Sequence, residues 1–315
     1  MTDLPAVHRT VLPALPPFSF DLSLRALDGF GPGAGDHRRT DDAVRKALLL
    51  PAPAGRPDRA VVVEVAAAAG PPGVTLTVFA DIPLAPADLC AVERLVARWF
   101  SLADDPAPLL AAADTDPAMA PLLPVLRGLH QVRFASLAEG AVYFTLTQRS
   151  TQWFAAARKR RLMADLGTTV RLDGTAYTAF PSLATIARLT DDELTGYTGH
   201  RQRTERLRGV VEGIAALDEE WLHTAPYDEV RAALLGVAGV GPFTAHSLLL
   251  RVLGRPDDAP LEMAQFELVA RAVYGDPPPS AAEIRGRYGR HTGWWAYLAR
   301  VGLGWLPDPA PAAVG

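Results

Sequence analysis

The stretch LLGVAGVGPFTAHSLLLRVLG, residues 234–254, constrains this chain more than any other. Two apolar-periodic segments flank Gly239, Val240 and Gly241, and Pro242 heads the second segment. Glycine adopts backbone angles closed to other residues and lets another group approach the main chain closely. Proline is tolerated at a first helical position, where its missing N–H would be unpaired anyway. The spacing predicts helix, tight turn, helix over 229–252, with Gly239 and Gly241 both in special geometry. Unpaired amides at such a turn form a small anion site suited to a phosphate. A plain helical hairpin with a glycine turn accounts for the motif equally well, so the rest of the chain has to decide.

A chain of 315 residues is long enough for two domains or for one helical body with an appendage. Its single cysteine, Cys90, excludes an internal disulfide framework and a four-cysteine zinc or iron-sulfur site. The formal net charge of −4 excludes a protein that holds nucleic acid by bulk charge alone. The charge is uneven. Residues 126–305 carry 21 Lys and Arg against 19 Asp and Glu, net +2, which leaves −6 for the remainder. The later part can therefore present a local basic face. The first eighteen residues lack the basic start, apolar run and cleavage site of a secretory leader, and no run of about 18 apolar residues occurs anywhere. A cytoplasmic, nucleoid-associated protein with no membrane contact is expected, and a monomer.

Periodicity predicts an α+β fold class: a small antiparallel sheet near the N-terminus followed by an all-α body. After a tail at 1–15, FSFDLSL alternates apolar residues in the manner of a strand, and RAVVVEV and GVTLTVFA flank a GPPG turn. A helix then starts at Ala85 and Pro86, with Leu89, Val92, Leu95, Val96 and Trp99 along one face. These elements define an N-terminal domain over 16–110, and the proline-rich, acidic SLADDPAPLLAAADTDPAMAPLLPVL holds the boundary. From about 117 onward strands are expected to vanish. Ten helical segments over 111–305 follow, with Gly167, Gly254 and Gly275 at helix ends and Thr190–Glu193 as a capping box. Residues 306–315 read as a frayed tail.

Extending the hairpin window to LLGVAGVGPFTA…GRPDDAPLE…VYG gives a pattern that resembles the helix-hairpin-helix DNA glycosylase superfamily. In that family a Leu-x-Gly-Val-Gly-x-x-Thr-Ala hairpin is followed some twenty residues later by Pro-x-Asp, whose carboxylate is catalytic. Here Glu262 lies two residues after Pro260 and 19 after Phe243, with glutamate in place of aspartate. RFASLAEGAVYFTLTQRSTQ resembles the family's helix that ends in a Gln and a DNA-wedging residue, which places those roles on Gln148 and Arg149. The early sheet and LDGF at 27–30 resemble the additional N-terminal domain of the 3-methyladenine glycosylase II and 8-oxoguanine glycosylase branches.

The branch is indicated by what the chain lacks. Bifunctional members, which also cut the backbone, carry a catalytic Lys where this chain has Phe243, and commonly a His where it has Ala264. The pattern is nearest the 3-methyladenine glycosylase II branch. The resemblance implies a monofunctional enzyme that flips an alkylated purine from damaged double-stranded DNA and hydrolyses its N-glycosidic bond. It implies Glu262 as the electrostatic catalyst, Gly239, Val240, Gly241 and Thr244 on a backbone phosphate, and Phe243 and Trp294 as the aromatic base pocket. No cofactor is required, although a sodium or potassium ion on the carbonyls of Leu235, Val237 and Val240 is implied. Each role has a plainer counterpart: Trp294, Trp295 and Tyr297 as core, Arg149 as an exposed helix-end residue, Glu262 as an acid favoured near a helix start. ARKRR at 157–161 and HRQRTERLR at 200–208 are basic helix faces, solvated or in contact with phosphates. Two other functions share the scaffold: a damaged-DNA-binding protein that excises poorly or not at all, and a glycosylase for oxidised or deaminated bases.

Overall fold

Strand β1 (Ala6–Pro13) pairs antiparallel with β5 (Gly73–Phe79) and closes one edge of a five-stranded sheet ordered β1-β5-β4-β3-β2, with β2 at His37–Arg39, β3 at Ala43–Leu50 and β4 at Arg59–Ala67. The computed structural model describes residues 4–50 and 58–306. The α+β class expected from the sequence is the observed one: this antiparallel sheet precedes a largely helical remainder. Residues 6–13, expected in the N-terminal tail, are a strand of that sheet. The expected C-terminal tail lies, from 307 on, outside the described residues.

The GPPG hairpin forms between β4 and β5 as expected. The apolar run in β4 is explained by burial on both faces. Val61, Val63 and Val65 point into the main core, while Ala60 and Val62 point to the opposite side. That opposite side is covered by a hairpin of β6 (Thr168–Leu172) and β7 (Thr175–Ala179), through Leu172, Tyr177 and Ala179. Strands therefore do not vanish after 117. The turn is Asp173 and Gly174, both at positive φ (51° and 71°), the geometry of a two-residue hairpin.

FSFDLSL, expected to be extended, is instead the start of helix α1 (Phe20–Asp28), capped by the Ser19 hydroxyl, which accepts from the Leu22 amide. Phe20, Leu24 and Leu27 follow a helical spacing and are buried together, so the longer period wins over a short alternation. Helix α2 (Pro86–Trp99) starts where expected. Then come α3 (Ala107–Asp114), α4 (Leu123–Leu126), α5 (Leu137–Leu146), α6 (Gln152–Leu166), α7 (Leu183–Ala187), α8 (Asp191–Thr198), α9 (Arg201–Ala215), α10 (Glu219–Thr224), α11 (Tyr227–Gly236), α12 (Pro242–Arg251), α13 (Ala264–Tyr274), α14 (Ala281–Tyr288) and α15 (Thr292–Leu303). The Thr190–Glu193 capping box is formed, and Gly167 and Gly275 end α6 and α13. No helix among the described residues is long and apolar enough to cross a membrane.

Two large apolar cores result. One joins the inner sheet face to α2 and to Trp294, Trp295, Tyr297 and Leu298 of α15. The other lies among α5, α6, α9, α11 and α12. A buried charge cluster ties the sheet to α5 and α6. The Lys159 ammonium contacts Asp36 and lies 2.7 Å from Glu139, while Lys46 lies 3.4 Å from Glu139. Burial pushes the Asp36 carboxyl up to about 6 against the pull of the two lysines. Burial likewise opposes ionisation of Glu139, but there Lys159 and Lys46 outweigh it and hold the carboxyl well below its usual range. Lone buried charges are strongly unfavourable, and this cluster neutralises itself.

Candidate functional site

The turn between α11 and α12 adopts the predicted hairpin, and its glycines divide the work. Gly239 has φ +89°, and a Cβ there would sit 2.8 Å from the Arg206 carbonyl oxygen of α9. Gly241 has φ −98°, an ordinary angle, so its glycine is not needed for the backbone. A Cβ there would meet nothing within 4 Å, which leaves the space in front of its amide open. Two further glycines, one turn apart on α9, let the helix approach the turn: a Cβ on Gly209 would lie 2.8 Å from the Ala238 carbonyl oxygen, and one on Gly213 2.6 Å from Val237 Cγ1.

The amides of this turn are not equivalent. Val240 donates to the Val237 carbonyl at 3.0 Å, which spends that N–H inside the turn. The amides of Gly239 and Gly241 have no backbone acceptor among the described residues, and those of Phe243 and Thr244 belong to the unpaired first turn of α12. A phosphate would find these four donors rather than Val240. Thr244 contributes in another way than expected. Its side chain is 1% exposed, and its hydroxyl accepts from Gln148 Nε2 at 3.0 Å. The same nitrogen donates to the Gly239 carbonyl at 2.9 Å. Gln148 thus fixes the α5–α6 loop against the hairpin. Among the described residues the carbonyl of Leu235 accepts no backbone bond outside α11 and that of Val240, in the turn, accepts none, while that of Val237 accepts one, from the Val240 amide. These are the three oxygens on which the resemblance places a monovalent cation.

The next residue, Arg149, is exposed at φ +51°, in the left-handed region that non-glycine residues seldom occupy. Trp153, in the first turn of α6, is 76% exposed. In the sequence Trp153 does not differ from a core tryptophan on a helix, and only its exposure marks it. Around it the surface is basic: Arg158 and Arg203 stack on the Phe154 ring at 4.8 and 4.9 Å.

Beside the hairpin opens a cleft of about 390 Å³ between the two cores. Phe30 and Pro32 after α1 form one wall, Tyr143, Phe144 and Phe243 another, and Tyr297, Arg300 and Trp305 a third. Phe243 stands edge-on to Phe144, with ring centroids 6.3 Å apart. His246 and Phe266 cross edge to face at 5.8 Å, and burial pushes the His246 imidazole down to about 4, so it is neutral at pH 7. Gln152, Ser247, Gln265 and Arg251 supply the polar groups. No carboxylate lines the cleft among the described residues.

Two expected site residues lie elsewhere. Glu262 borders a separate groove with Glu267, Pro278 and Ser280. Its side chain is 64% exposed and grips Arg285, with Oε1 to Nη1 at 2.5 Å and Oε2 to Nη2 at 3.2 Å. The Arg285 hydrogen bond holds its carboxyl below the usual range. The short turn at Pro260–Met263 faces it toward α14, and Gln265 and Phe266, three and four residues later, reach the cleft instead. Trp294 is 8% exposed, stacks on His291 at 5.7 Å and borders a cavity of about 20 Å³ beside His130. Tyr297, one turn further along α15, is the residue that faces the cleft. Trp295 is fully buried core, the plainer of the two roles considered for it.

No family model matches the chain. A protein of Bacillus subtilis named DNA-3-methyladenine glycosylase is 26% identical over 173 residues, 54% of this chain and 57% of that protein. The match thus spans a little over half of the relative's length. Among solved structures, a 3-methyladenine DNA-glycosylase from Archaeoglobus fulgidus superposes with a TM-score of 0.72 at 20% identity, covering 95% of this chain and all of that one. A Clostridium acetobutylicum 8-oxoguanine glycosylase/lyase superposes with a TM-score of 0.65 at 16% identity, over 96% of this chain and all of that one. At these identities the superpositions establish a shared fold.

Proposed function

We propose that this chain, which resembles the helix-hairpin-helix DNA glycosylases and is nearest their 3-methyladenine branch, draws an alkylated purine out of duplex DNA and hydrolyses its N-glycosidic bond. One observation carries the reading. The free amides of Gly239, Gly241 and Thr244 and the cleft-lining ring of Phe243 share one helix start. A nucleotide whose phosphate rests on those amides has an aromatic cleft beside it for its base. Gln148 ties the loop that carries Arg149 to that helix start, where Arg149 can occupy the space the base leaves. Extrusion costs a few kcal/mol and is cheapest for a weakly paired lesion. A monovalent cation on Leu235, Val237 and Val240 would stiffen the turn and add positive charge behind the phosphate.

A purine alkylated at N3 or N7 carries positive charge, and its glycosidic bond is weakened before any enzyme acts. Aromatic faces attract such a ring, each worth about 0.5 to 2 kcal/mol. Water adds to the sugar carbon as the neutral base departs. The chain has two lysines, Lys46 and Lys159, and both are buried in the charge cluster with Asp36 and Glu139. Neither is free to form a Schiff base, which supports base release without backbone cleavage. Glu262 can approach the sugar only by leaving Arg285.

The missing carboxylate favours a second reading, a damage-binding protein that excises slowly or not at all. Single-turnover release of 3-methyladenine and 7-methylguanine from methylated duplex separates the two. Release by the wild type that Glu262→Gln abolishes makes Glu262 the catalyst after a side-chain rearrangement. Release that survives this variant assigns catalysis to the cleft. Absence of release with retained affinity for an abasic-site duplex establishes the binding protein.

A further inference from the structure

The cleft contains a guanidinium that no part of the reading above uses. Arg251, the last residue of α12, lies between two rings, its Cζ 4.7 Å from the centroid of Phe30 and 4.7 Å from that of Tyr297. Its Nη2 donates to the Val132 carbonyl at 3.2 Å, while the Val132 amide donates to the Tyr297 hydroxyl at 3.3 Å, so the sandwich is pinned to one point of backbone. Its Nε is buried without a partner, and no carboxylate lies within ion-pair distance among the described residues. Nearly every other interior cation of this chain is paired: Arg133 with Asp104, Lys159 with Asp36 and Glu139. A planar fork held by two rings, short of acceptors and opening on a cleft, is a preorganised donor waiting for an acceptor.

We infer that Arg251 reads the base in the cleft and selects a 6-oxopurine, a guanine- or hypoxanthine-type lesion, over a 6-aminopurine. This rests on the base-flipping reading above. The guanidinium fork matches O6 and N7 of a hypoxanthine- or guanine-type base, the commonest specific pairing of arginine with a base, and O6 alone where N7 is alkylated. The amino group of an adenine-type lesion would point donors at donors. The same contact assists bond breaking. As the C1′–N9 bond breaks, its electron pair moves onto the purine and builds charge at O6, while a water oxygen bonds to C1′ and releases a proton. With hypoxanthine the departing anion takes up that proton. With N7-alkylated guanine the pair neutralises the cationic ring, and the proton passes to solvent water. In both cases electron density grows on the base beside Arg251, so the donor binds the transition state more strongly than the ground state. A cleft without a carboxylate can thus act on the leaving group instead of on the sugar.

The test measures binding, which does not require excision. Duplexes carry an uncleavable 2′-fluoro nucleotide of hypoxanthine or of adenine opposite difluorotoluene, an apolar thymine isostere, so that neither base is hydrogen-bonded to a partner. The wild type is expected to bind the hypoxanthine duplex on the order of tenfold more tightly. Arg251→Met, which keeps the packed stem, is expected to bring that ratio to about one without changing affinity for undamaged duplex, and Arg251→Lys to leave an intermediate ratio. A purely structural Arg251 would weaken both complexes together. A wild-type ratio near one, or a ratio unchanged in Arg251→Met, overturns the inference and leaves base flipping intact. Failure to bind either duplex above undamaged DNA overturns both. If Arg251→Met does not fold by circular dichroism, the wild-type and Arg251→Lys ratios still decide.

Discussion

The side-chain amide of Gln148 donates to the carbonyl oxygen of Gly239 across 2.9 Å, and this bond ties the α5–α6 loop to the hairpin. Gln148→Ala leaves that carbonyl and the buried Thr244 hydroxyl without their donor. A net loss of about 1 kcal/mol in stability is expected. The loss of affinity for an abasic-site duplex should be larger than for a surface substitution, on the order of tenfold, because the two segments proposed to meet DNA lose their registration. Fluorescence anisotropy on wild type and variant checks this, and equal affinities would contradict it.

Two glycines of the hairpin region should respond in opposite ways. Gly209→Ala forces a Cβ to 2.8 Å from the Ala238 carbonyl, so the turn must shift, and a destabilisation of about 1 to 3 kcal/mol is expected in urea unfolding. Gly241→Ala meets nothing and needs no unusual φ, so stability should stay within about 0.5 kcal/mol of wild type. DNA affinity should nevertheless fall, since the new methyl group occupies the space before the free amides.

Acid should destabilise the fold through His246. Its folded pKa, about 4, lies below the ordinary 6.5, so its contribution is complete above pH 6.5 and is lost as the pH falls toward 4. Asp36, raised by burial to about 6, works in the opposite sense over part of this range, so the useful quantity is a difference between proteins. Between pH 7 and pH 5 the wild type should lose on the order of 1 to 2 kcal/mol more than His246→Gln. Parallel curves for the two proteins would show that His246 is not the source.

Trp153 gives the interface its own reporter. An indole 76% exposed in free protein should be shielded by a bound duplex, so its emission should shift on titration, and Trp153→Phe should remove that shift. Loss of base stacking should also weaken binding by about 1 to 3 kcal/mol in Trp153→Ala.

Legibility in the sequence followed the range of the interactions. The hairpin was readable because Gly239 and Pro242 act within one turn of chain, and the Thr190–Glu193 box because both partners lie three residues apart. The β6–β7 hairpin also has a local signal, Asp173-Gly174 between two alternating five-residue segments, but it is short and lies between long helical patterns. FSFDLSL was ambiguous in itself, since seven residues carry both a two-residue and a helical period, and packing against Phe100 and the sheet decided for helix.

The sequence by itself determined the α+β class, the helix boundaries around the hairpin and the likeness to the helix-hairpin-helix glycosylases, all carried by local periodicity and fixed spacings. Tertiary structure decided what faces the cleft. Glu262 holds the expected place in the chain but turns to Arg285, 23 residues away, because that guanidinium offers it two hydrogen bonds. Trp294 stacks on His291 beside a small cavity, while Tyr297, just as buried and one turn further along α15, lines the cleft. Arg251 looks in sequence like the polar end of a helix, and becomes a guanidinium with an unpartnered Nε between two rings only when Phe30 and Tyr297, from opposite ends of the chain, close on it. Such contacts depend on which surfaces meet when two cores pack, and no spacing along the chain encodes that.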